Sequence, residues 1–182
     1  MPTENELKYL LNLNSQKTFS KAADECYFIK QGYLHSKKGM TLRVREINDM
    51  DGNALKRQLT YKQKISSRLI EIEKKISQRD FEDLWEITSN RLEKIRYHLV
   101  VKKKKKYLWE VDFFLHDGKP YIALAEHEMP EDQMEPDFIP DLICKNLVFA
   151  VPANDTRFSS KKLADVPYAK TLNNSLGASK NV

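Results

Sequence analysis

Over several short stretches of this chain, a charged residue stands at every second position. Near the N-terminus, Glu4, Glu6 and Lys8 have this spacing. Successive side chains of a β-strand point to opposite faces, so three such charges would share one face of a strand. The spacing therefore predicts a β-strand that carries its charges on one side.

The same spacing returns in pairs of one sign along most of the chain. The pairs are Arg43 and Arg45, Lys62 and Lys64, Glu71 and Glu73, Lys94 and Arg96, Glu110 and Asp112, and Glu126 and Glu128. Their neighbours are mostly apolar, as Val111 is between Glu110 and Asp112. At least seven strands with one charged and one apolar face are predicted.

Two explanations exist for these charged faces. An ordinary half-buried sheet exposes its charged face to water, and this explains any single strand. Like charges set side by side destabilise a sheet, however, and here each pair carries one sign. Taken together, the pairs favour a bound ligand that has both anionic and cationic parts.

One segment has helical spacing. From Gln78 to Leu92, apolar residues recur at intervals of three and four, and Ser77 with Asp80 resembles a capping box. Shorter helices are predicted at 15–24, 142–148 and 161–164. If the charges of the strands point into a lumen, the apolar faces point outward and helices must cover them.

The length and composition of the chain favour one globular domain. Its 182 residues are 41% hydrophobic, which is enough for a core. We expect this domain to span residues 1–169 and to be followed by a flexible C-terminal tail at 170–182. No apolar run suits a signal peptide or a membrane span, and Cys26 and Cys144 are too far apart in sequence for a thiolate metal motif. A cytoplasmic protein is therefore expected.

The formal net charge of +5 favours anionic partners. Much of this excess lies in the run Lys102 to Lys106, between two predicted strands, where a solvated hairpin turn is the simplest explanation. Nucleic acid is therefore expected as a partner only through a 5′-triphosphate end. No membrane partner is expected, and the oligomeric state stays open.

These patterns predict an α+β chain, mainly β: a closed eight-stranded antiparallel β-barrel, or tunnel, with a charged lumen and flanking helices. Removing ions from water is costly, so carboxylates in a lumen need divalent metals and the basic side chains need phosphates. Hard oxygen ligands select Mg²⁺ or Mn²⁺.

An ordered set of short motifs resembles the CYTH domains, also called triphosphate tunnel metalloenzymes. The motifs are Glu-x-Glu-x-Lys at Glu4, Glu6 and Lys8, QGYL at Gln31 to Leu34, RVR at Arg43 to Arg45, Lys62, Glu71 and Glu73, KIRY from Lys94, WEVDFF from Trp109, and LAEHEMP from Leu124 to Pro130. The resemblance covers most of the chain from Glu4 to Pro130.

The resemblance implies a triphosphate bound in a tunnel and assigns roles to residues. It implies metal ligands at Glu4, Glu6, Glu126 and Glu128, with Glu71, Glu73 and Asp112 as further metal ligands or water-orienting groups. It implies phosphate-binding bases at Lys8, Arg43, Arg45, Lys62, Lys94 and Arg96. Of these, Glu4, Glu6, Lys8, Glu126 and Glu128 form the implied catalytic set.

The sequence also departs from the family pattern. Gln63 follows Lys62 where the family usually has Gly, and the C-terminal third lacks a close copy of the family's Tyr-Asn ending. His127 lies between Glu126 and Glu128 where an aliphatic residue is more usual. Because strand residues alternate, we expect His127 to face outward as a packed or surface histidine.

Three functions remain after these observations. The first hypothesis is a metal-dependent triphosphatase that acts on inorganic triphosphate by attack of an activated water, because no motif for a base or for thiamine is evident. The second is a class IV-like adenylyl cyclase. The third is a non-catalytic module that binds polyphosphate or triphosphate-ended RNA.

Overall fold

Nine strands and five α-helices make up the part of the chain that the structure, a computed structural model, describes: residues 5–37, 39–65, 68–102, 106–130, 132–153 and 155–178. The strands are β1 (Glu6–Leu11), β2 (Glu25–Lys37), β3 (Met40–Asn48), β4 (Ala54–Ile65), β5 (Arg68–Lys75), β6 (Asn90–Lys102), β7 (Lys106–His116), β8 (Lys119–Glu128) and β9 (Leu147–Val151). The helices are α1 (Gln16–Ala22), α2 (Gln78–Glu86), α3 (Asp141–Asn146), α4 (Ser160–Leu163) and α5 (Val166–Ala178).

The strands form an antiparallel sheet, so the predicted α+β, mainly β class is confirmed. The predicted closed barrel of eight strands is wrong on both count and closure, since the described strands number nine and do not close. The ninth strand, β9, was not predicted, because Leu147 and Val148 were assigned to a helix that in fact ends at Asn146. β9 pairs with β1 on the side that β8 leaves open, which satisfies the backbone groups of β1 on both sides.

The chain divides into two compact units, and residues Tyr27–Glu93 belong to the first. Its strands lie in the order β5-β4-β3-β2, each antiparallel to its neighbour. Helix α2 packs against β3 and β4. That residues 1–169 act together as one CYTH domain stays a prediction.

Helix α2 begins at Gln78, as predicted, but it ends before the predicted Leu92. The side chain of Ser77 accepts a hydrogen bond from the backbone N–H of Asp80, and the reciprocal bond completes the capping box. The helix ends at Glu86 rather than Leu92, because the chain turns toward β2 at Thr88 and Ser89. There the backbone N–H of Ser89 donates to the carbonyl of Tyr33 at 3.1 Å.

The second unit comprises the described residues 5–26 and 94–178. Its strands lie in the order β6-β7-β8-β1-β9. Its core lies on the face of β7 that carries Trp109, Val111 and Phe113. Phe19 of α1 and Ile143 of α3 pack into this core, so helices cover the apolar face of the strands as the alternation predicted.

The C-terminal segment is helical further than expected. α5 packs against β8 and β9, and its residue Leu172 is buried. The boundary predicted between residues 169 and 170 therefore lies inside a helix that continues to Ala178. Residues 179–182 lie outside the described ranges. No helix in the described part of the chain is long and apolar enough to cross a membrane.

Asp-Gly pairs mark the turn between β3 and β4 and the turn between β7 and β8. Asp117 and Gly118 have φ angles of 51° and 71°, which suit a tight hairpin turn between β7 and β8. Gly52, with φ of 90°, lies between β3 and β4. The basic run falls where β6 ends at Lys102 and β7 begins at Lys106, and residues 103–105 lie outside the described ranges.

Candidate active site

Charged side chains form a row across four neighbouring strands of the second unit. Lys8 on β1 lies opposite Glu126 on β8, and Glu126 lies opposite Glu110 on β7. From β6, Arg96 forms ion pairs with Glu110 and, at 3.7 Å, with Glu126. The row brings two acids together between two bases, which offsets the repulsion of the facing carboxylates.

Lys8 lies between two of the predicted carboxylates. Its Nζ is 2.6 Å from Glu6 Oε2 and 2.5 Å from Glu126 Oε1. Burial alone would disfavour its charge, but the charges of Glu126 and Glu6 outweigh burial and hold the pKa of Lys8 above its ordinary value. Lys8 therefore stays protonated at neutral pH.

The most deeply buried part of the network surrounds Asp112 on β7. Lys94 on β6 forms an ion pair with Asp112 Oδ2, and the side chains of these two residues are 1% and 0% exposed. Arg96 donates from Nε to Oδ1 and from Nη2 to Oδ2, both at 2.7 Å. Burial opposes the charged carboxylate, but Arg96 and Lys94 hold the pKa of Asp112 well below its usual range.

The carboxylates that could hold a metal lie at the end of this row. Glu6 faces Glu128 directly across β1 and β8, beside the pair Lys8 and Glu126. Glu128 is exposed, and Glu4 lies outside the described residues. Within the described ranges, no three His, Cys, Asp or Glu side chains are grouped closely enough to hold a metal ion. The available donors are carboxylate oxygens, which by their chemistry suit Mg²⁺ or Mn²⁺.

His98 extends the network and was missed by the sequence reasoning. Its Nε2 lies 3.4 Å from Glu110 Oε1, and its Nδ1 lies 3.0 Å from Glu25 Oε2. The hydrogen bond with Glu110 is the main cause of a raised His98 pKa. The available signal was its position two residues after Arg96, on the same face of β6.

In the first unit, Arg45 is held by a buried glutamine. The Nε of Arg45 donates to Gln31 Oε1 at 2.7 Å, and Gln31 Nε2 donates to the hydroxyl of Tyr33 at 2.7 Å. Gln31 is fully buried. The QGYL motif thus contributes a side chain that orients a predicted phosphate-binding base, a role that the sequence did not reveal.

The remaining predicted residues of the first unit occupy the same face of the sheet as Arg45. Arg43 lies opposite Thr60, and Lys62 forms an ion pair with Glu71 at 3.1 Å. Glu73 Oε1 accepts a hydrogen bond from Gln58 Nε2 at 2.6 Å. Among the described residues, the buried Nε of Arg43 has no hydrogen-bond partner, which leaves it available for an anion.

His127 lies on the apolar face, as strand alternation predicted. It is buried and stacks on Trp109, with ring centroids 4.8 Å apart. Its Nδ1 lies 2.7 Å from the carbonyl oxygen of Leu108. These contacts make His127 a packing residue.

Solved structures provide the comparison for this arrangement. Two structures of the protein NE1496, one described as an inorganic triphosphatase and the other as a hypothetical protein, resemble the chain. The first is 27% identical over 90% of this chain and 95% of its own length, with a TM-score of 0.57. The second is 28% identical over 89% and 97%, with a TM-score of 0.55. No family model and no curated protein matches the chain.

A putative adenylyl cyclase from Hippeastrum, described as having a dominant triphosphatase activity, is 16% identical over 71% of this chain and 80% of its own length, with a TM-score of 0.49. This likeness is too loose to bear on function.

An open antiparallel sheet with rows of paired acids and bases, some of them buried, defines the class of fold. With the ordered motifs and the likeness to NE1496, it is the fold of the CYTH, or triphosphate tunnel metalloenzyme, family.

Proposed function

We propose that this chain is a divalent-metal-dependent hydrolase of triphosphates, with inorganic triphosphate as its substrate. The observation that carries the proposal is the ion-pair network of Lys8, Lys94, Arg96, Asp112 and Glu126, in which Lys94, Asp112 and Glu126 are buried. The ion pairs offset only part of the cost of burying these charges, so the network suits a ligand with parts of both signs. The 27% identity to a protein described as an inorganic triphosphatase supports this choice.

The basic side chains would bind the phosphates. Lys8 and Arg96 are held in their charged forms by neighbouring carboxylates, so they present fixed positive charge at neutral pH. In phosphoryl transfer, catalysis comes mainly from positioning and from stabilising the charge that develops on phosphate oxygens. Preorganised bases of this kind supply both. In the first unit, we propose the same binding role for Arg43, Arg45 and Lys62.

The carboxylates would hold the metal. Glu6, Glu126 and Glu128 offer hard oxygen ligands on two paired strands, and Glu4 precedes them in the motif. When bound, Mg²⁺ or Mn²⁺ would polarise a phosphoryl oxygen and lower the pKa of an attacking water. Glu126 would have to exchange its contact with Lys8 for the metal, which leaves Lys8 free to meet the negative substrate. Glu71 and Glu73 remain further candidate ligands.

We also propose a reducing location such as the cytoplasm. Cys26 and Cys144 form no disulfide with each other, which suits such a compartment.

A substrate panel tests the proposed function. Purified chain is incubated with tripolyphosphate, thiamine triphosphate, ATP or RNA bearing a 5′-triphosphate, in Mg²⁺, Mn²⁺ or EDTA. We expect phosphate release to be fastest from tripolyphosphate and to stop in EDTA. No release from any substrate in either metal would reject the proposal, and cyclic AMP formation from ATP would replace it with a cyclase. Tight tripolyphosphate binding without turnover would indicate a binding module.

A further inference from the structure

Asp112 differs from the other carboxylates of the network in how its oxygens are used. Arg96 donates to both oxygens at 2.7 Å, and Lys94 donates to Oδ2 as well. Three of the roughly four lone-pair positions of the carboxylate are therefore occupied by cationic donors. Asp112 is also fully buried, so solvent does not supply an alternative partner.

A metal ion at Asp112 would have to replace these donors. Removing the carboxylate from Lys94 would leave a buried ammonium group beside a divalent cation, which is a strongly unfavourable arrangement. The apolar surroundings strengthen this effect, because Lys94 Nζ also lies over the ring of Phe114, 5.3 Å from its centroid. Glu126, by contrast, has an ion pair with Lys8 that a metal can replace, and it lies near the half-buried Glu6.

The packing of Asp112 also sets the directions of the two bases. Arg96 uses Nε and one terminal nitrogen on Asp112, which leaves its other terminal nitrogen to contact Glu110. A two-point contact of this kind fixes the plane of the guanidinium group. Lys94 has its ammonium group fixed at the same carboxylate.

We infer that Asp112 is a positioning residue that holds Lys94 and Arg96 in place for phosphate, and that it is not a metal ligand. This departs from the metal role that the family resemblance implies for Asp112. The inference rests on the proposed function only for the identity of the anion that the two bases bind.

The test separates the two roles by measuring tripolyphosphate binding without any metal. Calorimetry in EDTA compares the unchanged chain with Asp112→Asn, which keeps the shape and removes the charge. A positioning role predicts affinity about tenfold weaker, because the two cationic donors lose the charged acceptor that fixes their directions. A metal-ligand role predicts unchanged or tighter binding, since a negative charge near the anion has been removed. That second result would overturn the inference.

Turnover provides the second readout. We expect Asp112→Asn to lower kcat by about 10²-fold, as misplaced catalytic groups do, while the Mg²⁺ concentration for half-maximal turnover changes less than twofold. A tenfold or greater rise in that Mg²⁺ concentration, with KM for tripolyphosphate unchanged, would identify Asp112 as a ligand.

Two further variants keep the result interpretable. Val111→Ala changes the adjacent buried residue on the apolar face of β7. It should lower the unfolding temperature without weakening tripolyphosphate binding in EDTA.

If Asp112→Asn does not fold, Lys94→Met is used, because Asp112 then keeps its contact with Arg96. The affinity of the Lys94→Met variant for Mn²⁺, measured by electron paramagnetic resonance, should match that of the unchanged chain. Tighter Mn²⁺ binding would mean that Asp112 had been released to the metal.

Failure of the inference and failure of the proposed function give different results. Tripolyphosphate binding without turnover by the unchanged chain rejects only the hydrolase. Turnover by the unchanged chain with unweakened binding by Asp112→Asn rejects only the positioning role. No binding of tripolyphosphate under any condition rejects both.

Discussion

Lys8 on β1 lies directly opposite Glu126 on β8, and their side chains form an ion pair at 2.5 Å. Because Glu6 also contacts Lys8, this lysine links one carboxylate from each of two paired strands. Removing either carboxylate therefore leaves Lys8 with one partner, so single substitutions can test chemistry without unfolding the chain.

Glu6→Gln keeps the size of the side chain and removes a proposed metal-binding charge. We expect kcat for tripolyphosphate to fall by about 10²-fold or more, the range seen when a preorganised electrostatic contact is lost. The unfolding temperature should change little, because Lys8 retains Glu126. The matched control is Glu82→Gln on the exposed side of α2, which should retain full turnover. Equal turnover in the two variants would remove Glu6 from the catalytic set.

Arg45→Ala should weaken substrate binding more than folding. We expect KM for tripolyphosphate to rise about tenfold or more, because a charged hydrogen-bond donor to phosphate is lost. The control is Arg57→Ala, which breaks the ion pair with Glu46 at 2.5 Å on the other face of the same sheet. KM should rise only for Arg45→Ala. A loss of stability without a change in KM would make Arg45 a structural residue.

His98 should make the stability of the fold depend on pH. Hydrogen bonds to Glu110 and Glu25 raise its pKa in the folded chain, although burial and Arg96 oppose this. Its contribution to the free energy of unfolding is thus fully present below the unfolded pKa of about 6.5, and it is lost as pH rises through the higher folded value.

Urea unfolding from about pH 6 to pH 9 checks this expectation. The unchanged chain should lose more stability over this interval than His98→Asn does. The other three histidines are present in both proteins, so the difference isolates His98. Parallel pH profiles for the two proteins would mean that His98 is not held in its charged form.

Gly32 allows β2 to approach the end of α2 closely. A Cβ atom at this position would lie 2.5 Å from Thr88 Cγ2. We expect Gly32→Ala to cost about 1–3 kcal/mol of unfolding free energy through overpacking. Adding Thr88→Ser should recover part of this loss, because it removes Cγ2 and keeps the hydroxyl that bonds Trp85.

The control for this series is Gly177→Ala near the end of α5, where a Cβ would meet no atom within 4 Å. Its unfolding free energy should be unchanged or slightly higher, since Ala favours helix. Chemical denaturation of all four proteins gives these values. Equal losses at positions 32 and 177 would contradict the close approach.

The strands and their two faces followed from local pattern. The pairs at positions 94 and 96 and at 110 and 112 predicted charged faces, and Asp112 is indeed on the face opposite Val111. The capping box of Ser77 was also predicted, because it depends on a few adjacent residues. Helix α2 was drawn too long because Thr88 and Leu92 continue its spacing, whereas contact with β2 ends the helix.

Which side chains share a face could be deduced from the residue order, since backbone alternation follows from local geometry alone. Which of these charges meet depends on tertiary contacts. The strand register places Lys8 between Glu6 and Glu126 and gives both oxygens of Asp112 to Lys94 and Arg96. Register and burial depend on contacts between residues far apart in the chain, so the role of a carboxylate as ligand or counter-ion could not be deduced from its spacing.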